Sequence, residues 1–193
     1  MTIRPLRHRA ARVAVIAVAA VTGLGACASS NSSSSSTGGG NPQAAAQQQV
    51  QDLTGRFMTV FSGVQTDPAK YQGQIETVAT GGAAQQMHQT AQNILTHHFS
   101  ATGSYAADHV TVLSTQLPGD KGGEKKATAQ VRLCYNPTGI TVTQQDGSKV
   151  PTAPGILDHA QVTFTVVNAQ YPDAQGWRVL RAQGGPKTPC EAS

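Results

Sequence analysis

The chain of 193 residues carries 14 Lys and Arg against 10 Asp and Glu, a formal charge of +4, but Arg4, Arg7, Arg9 and Arg12 account for the whole surplus. From Cys27 onward ten basic residues balance ten acidic ones, so the body has no net field to draw nucleic acid or anionic lipid, and a nucleic-acid partner is not expected. Beyond the leader and the polar stretch behind it, about 145 residues are left, room for one core burying roughly two-thirds of the unfolded surface.

The basic lead is followed by an apolar run from Val13 to Leu24. Those twelve residues fall short of the roughly 20 that a spanning helix needs, and they fit the core of a secretory signal. Leu24-Gly25-Ala26-Cys27 closes the run. This order of charge, apolar core, small residues and cysteine resembles the lipobox of bacterial lipoproteins. The resemblance implies that the Cys27 thiol receives a diacylglycerol, that residues 1–26 are removed, and that the protein sits on the extracytoplasmic face of the cell membrane. Two acyl chains hold a protein stably where one holds it marginally. The other reading is an ordinary signal cut at an A-x-A-like site, for example after Ala28. Ala28 to Gln43 is rich in Ser and Gly and has almost nothing to bury, so residues 27–44 are read as lipidated cysteine plus flexible leash. Residues 45–193 then form a single domain.

Within that domain, Val50, Leu53, Phe57, Val60, Phe61 and Val64 recur in steps of three and four, which places one apolar stripe on a helix from about Ala44 to Gln65. Asp67 and Pro68 suit the N-cap and first position of a short second helix, with Tyr71, Ile75 and Val78 inward and an end near Gly81-Gly82. A third helix is expected with Met87, Ala91, Ile94, Leu95 and His98 on one face, the ring of His98 half-buried, and Gly103 at its end. From about Asp108 the pattern changes to alternation. His109 to Leu117 is rich in Val and Thr; Lys126 to Tyr135 alternates; Ile140 and Val142 begin another strand; Asp146-Gly147 is a hairpin signal. Asp158 to Ala169 alternates through Ala160, Val162, Phe164 and Val166, and Trp177, Val179 and Arg181 point one way on the last strand. Gly122-Gly123 and Gly184-Gly185 read as loop punctuation, and Gly119 to Lys126 as a solvated loop. Helices first and antiparallel strands after define an α+β fold, with helices laid against one face of the sheet.

Apart from Cys27, the two cysteines are Cys134 and Cys190. In an exported chain an even pair is expected to be oxidised. The bridge closes a loop of about 57 residues, worth roughly 4 kcal/mol in the chain-entropy model. Neither has a His or Cys at ligand spacing, so no zinc motif is present.

Val131-Arg132-Leu133-Cys134, then Asp146-Gly147 and Val150, then Trp177-Arg178-Val179 and Cys190, are similar to a group of secreted actinobacterial lipoproteins whose domain is nuclear transport factor two-like, also called cystatin-like. The resemblance implies N-terminal helices on a strongly curved, cone-like antiparallel sheet, a Cys134–Cys190 bridge, and Trp177 packing on the sheet. Tyr135-Asn136 stands where that group leads one to expect an acidic residue.

Such a cone encloses a pocket, with Phe57, Phe61, Tyr135, Phe164 and Trp177 as its candidate lining. The first reading is therefore a non-enzymatic binding or accessory module of the cell envelope, membrane-anchored, with a small apolar ligand or an envelope protein as partner and no cofactor. A second reading is a pocket enzyme of isomerase or dehydratase type, which needs Asp108, His109, Asp158 and His159 to converge inside the cone. Neighbouring strand residues point to opposite faces, so neither Asp-His pair is a dyad by itself. His97 and His98 diverge on a helix and lack the i, i+4 spacing of a shared metal. A third reading is a structural partner that forms a homodimer through the sheet, using an outward apolar patch of Thr163, Thr165 and Val167.

Overall fold

The computed structural model describes residues 41–119 and 125–191. The leader, Cys27, most of the leash and the expected loop at Lys121 to Glu124 lie outside the described residues.

Asn41 caps the first helix, its side chain accepting from the Gln43 N–H at 3.0 Å, and Pro42 stands at the first position. Helix α1 therefore spans Pro42–Thr66, beginning two residues ahead of the expected Ala44. Its stripe Ala46, Val50, Leu53, Phe57, Val60 and Val64 is buried, as steps of three and four require. Asp67 closes α1 with its N–H on the Gly63 carbonyl, and its side chain accepts from the Lys70 N–H to open α2, Pro68–Tyr71. A 3-10 turn, Gln72–Gln74, leads into α3, Ile75–Val78, with Ile75 and Val78 buried. Ala79 then turns extended and bridges Val179. Gly81-Gly82 thus begins a helix and does not end one: α4 spans Gly81–Thr96 and buries Ala83, Ala84, Met87 and Ala91.

The apolar face of α4 is shorter than expected. Leu95 is 43% exposed, and His98 is exposed with φ 52°. That left-handed backbone ends the helical path before the stripe can continue, so the His98 ring is not half-buried. Gly103 lies in a strand the sequence did not signal, β1, Ser100–Gly103. It pairs with β4, Ile140–Thr143, and a Cβ on Gly103 would collide with the Gly139 carbonyl oxygen. The Asp146-Gly147 turn is present behind β4, with the Asp146 carboxylate accepting from the Ser148 N–H and hydroxyl.

The main sheet consists of β2 (Ala107–Gln116), β3 (Ala127–Tyr135), β5 (Ala160–Asn168) and β6 (Trp177–Pro189), in the order β2-β3-β5-β6, antiparallel throughout. Ala127, Ala129, Val131 and Leu133 on β3 and Ala160, Val162, Phe164 and Val166 on β5 alternate into the core. The helices cover that inner face, so the α+β expectation holds. The sheet is not closed.

One expectation about side-chain direction fails, and one about the character of the outer face. Val166 pairs with Val179 but Thr165 pairs with Arg181, which leaves Leu180 as an extra residue in a bulge. Arg181 consequently leaves the face of Val179 and turns outward, its Nε–H donating to the Thr165 hydroxyl at 3.2 Å. On the same outer face Thr163, Thr165 and Val167 lie opposite Arg132, Gln130 and Thr128. The surface is a Thr/Gln/Arg ladder, not the apolar patch a sheet-to-sheet homodimer was expected to use.

Helix α1 runs along the sheet from one end to the other. Its start is tied to β2 by the Gln43 side-chain amide on the Thr115 carbonyl at 2.7 Å. Its last turns meet Tyr105, whose N–H donates to the Ser62 hydroxyl and whose hydroxyl donates to Gln65 Oε1, both at 3.0 Å. Among the described residues every member of the buried apolar core falls between Ala46 and Val179, so a chain that starts at Ala28 retains all of them. Among the described residues no helix is long and apolar enough to cross a membrane.

Candidate functional site

A cavity of about 810 Å³ lies beneath the second half of α1, at the end of the sheet where β3 finishes and β5 begins. Phe57, Met58, Phe61 and Gln65 of α1 line one wall, and Ala83, Gln86 and Met87 of α4 another. Val162 and Phe164 form the floor on β5. The segment from Tyr135 through Ile140, Val142, Lys149 and Val150 to Ile156 closes the outer side.

The empty volume has a local cause in β6. Ala182 pairs with Phe164, and Gly184 pairs with Val162. Phe164 and Val162 face inward, so Ala182 and Gly184 occupy inward positions with no side chain long enough to reach the helices. Ala182 is exposed although it faces the inner side, because what it faces is the cavity. Gly184 has φ +90°, and a Cβ there would meet the Gln161 carbonyl oxygen at 2.6 Å. Only glycine fits without strain.

Aromatic rings line the walls in contact with one another. Phe164 meets Phe57 edge-on at 4.9 Å between centroids, Phe57 stacks on Phe61 at 5.8 Å, Phe61 meets Tyr105 at 5.0 Å, and Tyr105 meets Tyr135 at 5.9 Å. Such pairs favour offset or edge geometries and hold the rings as a rigid apolar surface. Burial pushes the phenols of Tyr105 and Tyr135 above their ordinary range, and for Tyr135 the neighbouring Tyr105 adds to the effect. Both hydroxyls therefore stay protonated through neutral pH, as neutral polar handles. Lys149, on the exposed side, is the one charged residue of the lining among the described residues.

Of the five candidate lining residues, Phe57, Phe61, Tyr135 and Phe164 are brought together here. Trp177 is not. It begins β6 opposite Asn168, at the other end of the sheet, fully buried, with its indole N–H donating to Gln49 Oε1 at 2.9 Å. Its place is structural. Cys134 and Cys190 form a disulfide with their Cα atoms 5.8 Å apart. Asp108, His109, Asp158 and His159 are all exposed and none lines the cavity, so the convergence that the isomerase reading required does not occur. His97 stacks on Phe99, and among the described residues no three His, Cys, Asp or Glu side chains gather as metal ligands.

Sequence reasoning missed Tyr105, Met58, Met87, Lys149, Ala182 and Gly184. The signal that was there is Ala182-Gln183-Gly184, whose period of two continues the last strand with its side chains removed from one face. Reading Gly184-Gly185 as loop punctuation hid it.

This chain is thus an α+β protein with helices on one face of an antiparallel sheet and a cavity between them. No family model matches it, and no curated protein does. Among solved structures it is similar to the intermembrane space region of chloroplast protein ARC6, with a TM-score of 0.50 at 10% identity, covering 72% of this chain and 95% of that one. A periplasmic fragment of TraM gives a TM-score of 0.45 at 10% identity, covering 72% of this chain and 96% of that one. At such identity the likeness to ARC6 is one of fold.

Proposed function

We propose that this protein is a lipid-anchored, extracytoplasmic binding module of the cell envelope, and that it holds an apolar ligand in the cavity without transforming it. The observation that carries the reading is the cavity itself, about 810 Å³ between two helices and the sheet, lined by five aromatic rings packed in series. That volume falls within the roughly 300–1,000 Å³ of small-molecule sites. The lining offers apolar surface, two neutral phenols and one lysine, a set suited to holding a molecule. The order of leader, Cys27 and Ser/Gly leash supports the anchor. Helices followed by antiparallel strands over a pocket also support the nuclear transport factor two-like assignment as part of this proposal.

Two measurements test it. Mass spectrometry of the membrane fraction is expected to find diacylglycerol on Cys27; an unmodified N-terminus downstream of Cys27 overturns the anchor. The uncharged fluorophore N-phenyl-1-naphthylamine is expected to brighten on binding one site in the chain from Ala28 onward. Substituting Ala182→Trp, which fills the cavity from a position already exposed to it, is expected to abolish that signal while the melting temperature stays unchanged. Equal binding by the Ala182→Trp variant overturns the site.

A further inference from the structure

The one charge of the lining among the described residues, Lys149, lies on the connection between β4 and β5, whereas the helix walls add only the neutral amides of Gln65 and Gln86. The cavity's deep walls are Phe57, Met58, Met87, Val162 and Phe164, all buried. Its outer side carries Thr138, Thr141, Lys149 and Thr152, all exposed. A ligand matched to this gradient has an apolar body for the inner walls and a polar head at the mouth. Among the described residues the lining contains no Asp, Glu or His, and its single charge is the Lys149 ammonium. That single cation favours a negative head over a neutral or positive one.

Resting on the binding reading above, we infer that the ligand is a single-chain anionic amphiphile, with its alkyl chain along the Phe57–Phe61–Phe164 wall and its acidic head, a carboxylate or a phosphate monoester, beside Lys149. The apolar wall supplies most of the affinity through area removed from water. Lys149 sits in an exposed setting, where an ion pair contributes about 1 kcal/mol or less. It acts mainly as a selector between heads of different charge. The Tyr135 hydroxyl, which remains protonated, is a second donor in the lining. A neutral alcohol of the same length fits the wall as well but leaves Lys149 without its counter-charge, and a quaternary ammonium places like charges together.

Competition against bound N-phenyl-1-naphthylamine, in the chain from Ala28 onward and below micelle-forming concentrations, separates these cases. Palmitate, hexadecyl phosphate, hexadecan-1-ol and hexadecyltrimethylammonium share one chain and differ in the head. At least one of the two anions is expected to displace the fluorophore at a concentration about fivefold lower than the alcohol, with the ammonium weakest; a factor of five corresponds to an exposed ion pair. The stronger anion names the head. Lys149→Gln is expected to erase that advantage and leave the alcohol unchanged. If the alcohol equals both anions, or Lys149→Gln preserves the ratio, the assignment of an anionic head is overturned while the binding reading stands. If the fluorophore binds but none of the four displaces it, the amphiphile class is overturned. Failure of the fluorophore to bind at all removes the binding reading itself.

Discussion

The two ends of the main sheet are built from the same strands and covered by the same helix, yet one is filled and the other hollow. At the filled end Trp177 opens β6 with no exposure, with Val166, Val179 and Ala127 equally inaccessible around it. The start of α1 reaches down to it through Gln49. At the hollow end the same strand β6 presents Ala182 and Gly184 to the inner face, and α1 passes over a space of about 810 Å³. Helix and sheet are spaced by side chains. Where one strand supplies an indole the interior closes, and where it supplies a methyl group or a hydrogen a cavity remains. The binding site is therefore a consequence of side-chain volume along a single strand.

Five changes break or sharpen that contrast. Trp177→Ala removes the side chain that fills the closed end and deprives Gln49 of its donor, and is expected to lower stability by about 3–5 kcal/mol, measured by urea unfolding. An equal substitution at the open end, Phe61→Ala, has less packing to lose because its wall already borders a void. A loss as large as that of Trp177→Ala would show the two ends equally packed.

The disulfide belongs to the open end. Cys134 lies opposite Gln161, and Cys190 follows Pro189, which pairs with Ala160. Replacing both cysteines with alanine is expected to lower stability by roughly 2–4 kcal/mol. Hydrogen exchange is expected to accelerate around Tyr135 and Ala160 before it does around Val166 and Val179. Uniform acceleration would contradict the placement of the bridge.

Gly184→Ala tests the backbone that leaves the cavity open. Its φ of +90° and the close Gln161 carbonyl make a Cβ strained, with an expected loss of about 1–3 kcal/mol. Thermal melting of that variant at unchanged stability would refute the register of β5 on β6.

The smallest effect is a pH dependence. Tyr105 and Tyr135 have folded-state pKa values above their unfolded ones, chiefly through burial. Their contribution is therefore complete below the unfolded value of about 10 and is lost as pH rises through the folded values. Ultraviolet titration is expected to show these two phenols ionising late, and Tyr135→Phe to remove one late step. Ionisation of every tyrosine near pH 10 would mean the open end is flooded.

Much of the fold was legible because it rests on periodicity. The α1 stripe from Val50 to Val64 and the alternation through Ala160, Val162, Phe164 and Val166 follow directly from burying one face of a helix or strand. Legibility failed where a single residue redirects the chain. The left-handed backbone at His98 ends α4 early, the bulge at Leu180 turns Arg181 outward, and Gly81-Gly82 opens a helix in a role usually filled by other residues. Strand β1 was invisible because Ser100 to Gly103 has no alternation to read and exists through its pairing with β4. Four of the five expected lining residues were found because aromatics near one another on α1, β3 and β5 must share the inner face. Trp177 was misplaced because residue type alone does not say which end of a strand carries the cavity. The register that separates it from Ala182 is a tertiary fact.

The most direct test of the contrast is methyl NMR on the chain from Ala28 onward, titrated with palmitate. The account predicts shifts at the methyls of Met58, Met87, Val150 and Val162, and none at Ala127, Val166 and Val179. Equal shifts at both sets of methyls, or shifts confined to the second set, would contradict it.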